Sequence, residues 1–85
     1  EKVRIDKWLW AARMYKTRTM AADACTGGHV LLNNEPSKPS RSVVVGDFVE
    51  ARTPGGMRVL EVAALGSKRG PASVAITLAW WSNVP

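Results

Sequence analysis

Asp6-Lys7-Trp8-Leu9-Trp10-Ala11-Ala12-Arg13-Met14-Tyr15-Lys16-Thr17-Arg18-Thr19-Met20-Ala21-Ala22-Asp23-Ala24-Cys25-Thr26-Gly27-Gly28 is the stretch that decides the fold. Asp6 is an N-cap candidate, its carboxylate placed to accept from the amides of a first turn, and an ion-pair partner for Arg4 or Lys7 rather than a catalyst. Lys7 to Met14 holds neither Gly nor Pro and predicts a short helix. At about 100° per residue, Trp8, Leu9, Ala12 and Tyr15 share one side, with Ile5 just before them. Lys7, Trp10 and Met14 fall opposite, with Arg13 at the edge. Thr17 is the second N-cap candidate, and Arg18 to about Cys25 predicts a second helix with Met20, Ala21, Ala24 and Cys25 inward. Gly27-Gly28 stops it, because glycine enters the left-handed C-cap without steric cost. Only Tyr15-Lys16-Thr17 joins the helices, so the turn is sharp and Arg13, Lys16 and Arg18 are expected to meet at its corner.

Downstream, the pattern changes to short strands. His29 to Leu32 runs into Asn33-Asn34, a pair that tolerates positive φ in a tight turn. Pro36 and Pro39 predict an irregular exposed loop from Glu35 to Arg41, carrying Lys38, Ser40 and Arg41. Val43-Val44-Val45 predicts a buried strand, and Gly46-Asp47 turns it into Phe48 to Arg52. Thr53-Pro54-Gly55-Gly56 is a reverse-turn sequence, with Met57 to Leu65 returning. Gly66 to Gly70 reads as a basic loop. Ala72 to Trp81 is open between strand (Val74, Ile76, Leu78) and helix (Ala72, Ala75, Ala79).

The expected fold class is therefore α+β: two short N-terminal helices packed on a small, mostly antiparallel sheet, with a short C-terminal extension. Residues 1–52 form the helix-led motif. Residues 53–85 supply the return strand and the extension, packed on it as one domain.

Composition narrows what such a body does. The 85 residues carry 12 Lys and Arg against 7 Asp and Glu, a net charge of +5 and a pI near 10.0. Six of the cations, Lys2, Arg4, Lys7, Arg13, Lys16 and Arg18, lie in the first 18 residues with only Glu1 and Asp6 against them. Lys38 with Arg41 and Lys68 with Arg69 form two further clusters. A field of this sign favours polyanions, nucleic acid ahead of an anionic membrane. The chain is too short for an enzyme with its own substrate domain. One cysteine excludes an internal disulfide and suits a reducing compartment. No run of about 18 apolar residues predicts a membrane span, and no apolar stretch reads as a secretory signal.

Arg4-Ile5-Asp6-Lys7, Thr17-Arg18-Thr19, Gly27-Gly28-His29-Val30, Asn33-Asn34 and Val45-Gly46-Asp47 together resemble the RNA-binding domain named after ribosomal protein S-four, the alpha-L motif. The likeness covers about residues 3 to 50. Within that superfamily, Asp6 to Arg13, Tyr15-Lys16-Thr17-Arg18, Ser37-Lys38-Pro39-Ser40 and Arg69-Gly70-Pro71-Ala72-Ser73 are similar to the heat-shock protein fifteen family. Two positions depart from the pattern: His29 stands where Lys or Arg is usual, and Asn34 where Gly is usual.

The resemblance implies a non-catalytic, cytoplasmic, ribosome-associated RNA binder, with large-subunit ribosomal RNA and tRNA as partners. It implies no cofactor, small-molecule substrate or membrane. Its basic positions carry over as Arg4, Lys7, Arg13, Lys16, Arg18, Lys38 and Arg41. Thr17, Ser40 and Ser37 are candidate hydroxyl donors to phosphate, with capping the competing role for Thr17. Other readings are an accessory RNA-binding domain of a larger RNA-modifying enzyme, or a protein-interaction adaptor using Trp80 and Trp81.

The residue types agree with phosphate chemistry. Each Lys or Arg that meets phosphate displaces condensed counterions. A-form RNA hides its major groove, so a small basic surface recognises shape, junctions and backbone more readily than base sequence. Trp10 either stacks on a base or packs beneath the C-terminal segment with Trp80 or Trp81, the latter favoured by the cost of an exposed indole. His29 and Cys25 do not make a metal site, since Gly27-Gly28 interrupts their spacing and two ligands are too few. Cys25 reads as a small buried hydrophobe. No P-loop, dinucleotide fingerprint or nucleophilic triad is present.

Overall fold

A computed structural model describes residues 2–65 and 75–81 of the chain. In chain order the elements are β1 (Val3–Arg4), α1 (Ile5–Ala11), α2 (Arg18–Thr26), β2 (Val30–Leu32), β3 (Glu35–Pro36), β4 (Ser42–Val43), β5 (Phe48–Thr53), β6 (Gly56–Val62) and β7 (Ala75–Trp81). Five strands form one antiparallel sheet in the order β3-β2-β5-β6-β7, and β1 pairs with β4 separately. The α+β architecture expected from the sequence is the one observed.

The two helices cover one face of the larger sheet. Trp8 and Leu9 of α1 and Ala21, Ala24 and Cys25 of α2 are buried with Val30, Leu32, Val49, Ala51, Leu60 and Val62 of the strands. Each fully buried Leu or Val contributes about 1.5–3 kcal/mol, which holds helices too short to persist alone. Trp8 is wholly buried, and its indole N–H donates to the Ala64 carbonyl at 3.0 Å.

Helix α1 is not where its sequence put it. It begins at Ile5 rather than Lys7 and ends at Ala11 rather than Met14. Arg4 occupies the cap position without a capping side chain, and Asp6 lies inside the first turn, not at the N-cap. Pairing decides this. Val3 and Arg4 are fixed in β1 opposite Val43 and Ser42, and the Ile5 amide donates to the Arg41 carbonyl at 2.7 Å.

Thr17 caps α2 as expected, its hydroxyl accepting from the Met20 amide at 3.0 Å. Met20, expected inward, is instead 37% exposed, while Ala21, Ala24 and Cys25 are buried. Asn33 and Asn34 adopt φ of 51° and 70° and close the β2–β3 hairpin. That hairpin corrects the irregular loop expected over Glu35–Arg41, because Glu35 and Pro36 pair with Leu32 and Leu31.

The Val43-Val44-Val45 strand is corrected too. Only Val43 is buried; Val44 and Val45 are 56% and 60% exposed. Asp47 takes them out of the sheet: its carboxylate accepts from the Val44 amide at 2.9 Å, and its own amide donates to the Val44 carbonyl. Pro54-Gly55 turns β5 into β6. The open choice for the last segment resolves as a strand over Ala75–Trp81, paired with β6 and carrying a register shift at Val59/Leu60. Gly66 to Gly70, with Lys68 and Arg69, lies outside the described residues.

Candidate nucleic-acid interface

Asp6 organises one side of the site. Only 4% exposed, its carboxylate takes two bonds from the Arg4 guanidinium, at 3.2 and 2.9 Å. The Lys7 amide donates to it at 2.7 Å, and Arg18 Nη2 lies 3.9 Å from the same oxygen. Both arginines are about half exposed, so a buried anion anchors them and leaves donor surface in solvent. The forked guanidinium suits this arrangement, since one edge can hold a carboxylate while others face a phosphate.

The 37–41 loop lies against the same helix end. The Asp6 amide donates to the Pro39 carbonyl at 3.3 Å, and the Arg41 amide to the Lys38 carbonyl at 3.1 Å. Lys38, Ser40 and Arg41 are exposed there, and Ser37 is buried with its hydroxyl donating to the Lys38 carbonyl. Thus Arg4, Arg18, Lys38, Ser40 and Arg41 surround the start of α1. Lys7 is half-buried one residue after Asp6.

Arg13 and Lys16 stand at the other end of α1. Arg13 has φ of 63°; its amide donates to the Trp10 carbonyl at 3.0 Å, and the Met14 amide to the Leu9 carbonyl at 3.0 Å. This pair of bonds is a Schellman closure with arginine in the place glycine usually takes. Arg13 and Lys16 line a groove of about 340 Å³ with Met14, Met20, Pro54 and Arg58. Arg18 does not line that groove. The three cations expected to meet at the corner therefore divide: Arg13 and Lys16 share the groove, while Arg18 turns to Asp6, with Thr17 between them.

Beneath the corner, Tyr15 is buried and donates its hydroxyl proton to the Arg52 carbonyl at 2.6 Å. Burial pushes its phenol up to about 12, with the Cys25 charge adding to the effect. Burial likewise pushes the Cys25 thiol up to about 11, with Asp6 adding. Cys25 is a free buried thiol packed as a small hydrophobe. Among the described residues, no group of three or more His, Cys, Asp or Glu could hold a metal ion.

Two features escaped the sequence. The ion pair of Asp6 with Arg4 is one of the two expected, but its second pair, with Arg18, joins residues on different helices and has no local signal. Arg58 lies on the groove, a fact visible only once the strand register places it beside the corner. Trp10 is half-buried.

The S4 domain model matches residues 3–49. Heat shock protein 15 of Escherichia coli K12 is 44% identical over 77 residues, 91% of this chain and 58% of that protein. The chain thus spans a little over half the length of that relative. The RQC P-site tRNA stabilizing factor of Helicobacter pylori strain 26695 is 35% identical over 66 residues, 74% of this chain and 79% of that protein. The trimeric structure of Vibrio cholerae Heat Shock Protein 15 superposes with a TM-score of 0.86 at 36% identity, covering 93% of this chain and 84% of that one.

Proposed function

The chain belongs to the S4 domain family and, within it, to the Heat shock protein 15 family, and we propose that it is a non-catalytic, ribosome-associated RNA-binding protein. Structured RNA of the large subunit, with tRNA nearby, is the target this reading assigns. The name of the Helicobacter relative, a P-site tRNA stabilizing factor, supports it. Such a partner also implies a cytoplasmic location.

One observation carries the proposal. Arg4, Lys7, Arg13, Lys16, Arg18, Lys38 and Arg41 all fall within the matched residues 3–49, and their segments wrap a single seven-residue helix. A helix of that length spans about 10 Å, so these cations can face a few consecutive phosphates. Thr17 and Ser40 add hydroxyls at the two ends of the patch, Thr17 while capping α2. In this role Asp6 is a positioning residue: it holds Arg4 and Arg18 without meeting RNA.

The test is competition binding to a structured large-subunit ribosomal RNA fragment and to duplex DNA. Arg13→Glu with Lys16→Glu and Arg18→Gln should weaken RNA binding by roughly 100-fold or more at low salt, with thermal melting retained. Gln is chosen at position 18 because Glu there would face the buried Asp6 carboxylate. Unchanged RNA affinity in the folded variant, or equal affinity of the wild-type protein for duplex DNA, would overturn the proposal.

A further inference from the structure

The groove beside Arg13 has a second wall that the matched residues 3–49 do not supply. Pro54 comes from the β5–β6 turn and Arg58 from β6. Arg58 pairs directly across the sheet with Trp80 of β7, so both side chains stand on one face. The Arg58 guanidinium carbon lies 5.6 Å from the Trp80 ring centroid, and Trp80 is 53% exposed. Ala51, opposite Arg58 on β5, is fully buried, which puts this face on the helix side of the sheet. The groove and the indole therefore adjoin through Arg58.

We infer that Arg58 and Trp80 form a platform for an unpaired nucleotide, extending the RNA interface from the helix corner onto the sheet. The inference rests on the proposed RNA-binding function and names a substrate feature that the corner alone does not select. The chemistry is that of a nucleotide. Arg13, Lys16 and Arg58 offer charge for a phosphate, while Met14, Met20 and Pro54 offer an apolar surface beside them. The exposed indole offers a π face, on which any base can stack. Guanidinium against indole is itself favourable and holds Arg58 at the groove mouth. A paired duplex keeps its bases stacked inside and cannot use such a platform, so the surface discriminates unpaired from paired RNA.

Binding of a short single-stranded oligoadenylate and of a fully paired RNA duplex of equal length provides the test. Trp80→Ala should weaken oligoadenylate binding by roughly 10- to 100-fold, the loss expected for one base–aromatic stack, and leave duplex binding unchanged. Trp80→Phe should restore most of the loss. Arg13→Glu should weaken both RNAs. Trp80 is exposed, and thermal melting would verify that its variants fold. Equal oligoadenylate affinity of Trp80→Ala and wild type would overturn the platform while Arg13→Glu still upholds the corner. A wild-type protein that binds neither RNA would end both readings. A change of oligomeric state in Trp80→Ala would assign the indole to a subunit contact and overturn the platform.

Discussion

Helix α1 ends with Arg13 at φ 63° and helix α2 with Gly28 at φ 80°, and the same two bonds close each end. At α2 the Gly28 amide donates to the Cys25 carbonyl and the His29 amide to the Ala24 carbonyl, matching the Arg13–Trp10 and Met14–Leu9 pair. Glycine takes this conformation freely, whereas a side chain costs about 1–2 kcal/mol there. The α2 closure stops the helix ahead of β2. The α1 closure accepts strain and in return sets a guanidinium at the groove it shares with Lys16 and Arg58. A strained backbone at a charged surface is an observation from which function can be inferred.

The groups buried under the two ends give the largest predicted effect. Tyr15 follows the α1 closure and Cys25 precedes that of α2, with their acids raised to about 12 and about 11. Both are held neutral by the fold and ionise more readily unfolded. Their stability contribution is complete below the unfolded values, about 10 for Tyr and about 9 for Cys, and is lost as pH rises through the folded ones. Urea unfolding from pH 8 to 12 should therefore show a fall of a few kcal/mol, roughly. Cys25→Ala should flatten the earlier part of that fall, near pH 9–11. An unaltered profile would separate the thiol from the core beneath α2.

Backbone exchanges probe the comparison next. Gly28→Val should cost roughly 2 kcal/mol or more by urea denaturation, since a β-branched residue meets positive φ badly. An added Cβ meets nothing within 4 Å, so the cost is conformational rather than steric crowding. RNA affinity of the folded fraction should not change. Arg13→Gly should do the opposite: stability equal or higher by up to about 1 kcal/mol, and RNA affinity lower by about tenfold. A destabilised Arg13→Gly with full affinity would reverse the roles assigned to the two ends. The smallest effect is expected from the exchange Arg13→Gly with Gly28→Arg. It transfers the strain from one helix to the other, so stability should stay within about 1 kcal/mol of wild type, without restoring RNA affinity.

How far these ends were legible differs in the same way. Thr17, Gly27-Gly28 and Asn33-Asn34 act through neighbours within a few residues, and their cap, stop and turn are found where the sequence placed them. The boundaries of α1 depend on β1 meeting β4, almost forty residues away, and no local signal carries that pairing. Asp6 misled for this reason: a carboxylate before an apolar run looks like a cap until the strand ahead pulls it into the first turn. Val44 and Val45 have strand-forming side chains, but the Asp47 turn claims their backbone. The cations of the corner were visible as charges; their division between Asp6 and the groove was not, because it depends on side-chain partners. Arg58 and Trp80 become neighbours only through strand register.

Salt dependence of binding to a structured large-subunit ribosomal RNA fragment tests most directly whether the wrapped helix presents its cations to phosphate. With five contacts, log affinity should fall against log salt with a slope of about −3.5 to −4.5. A slope near zero would contradict the account, because a patch of guanidinium and ammonium groups engaging RNA must release counterions.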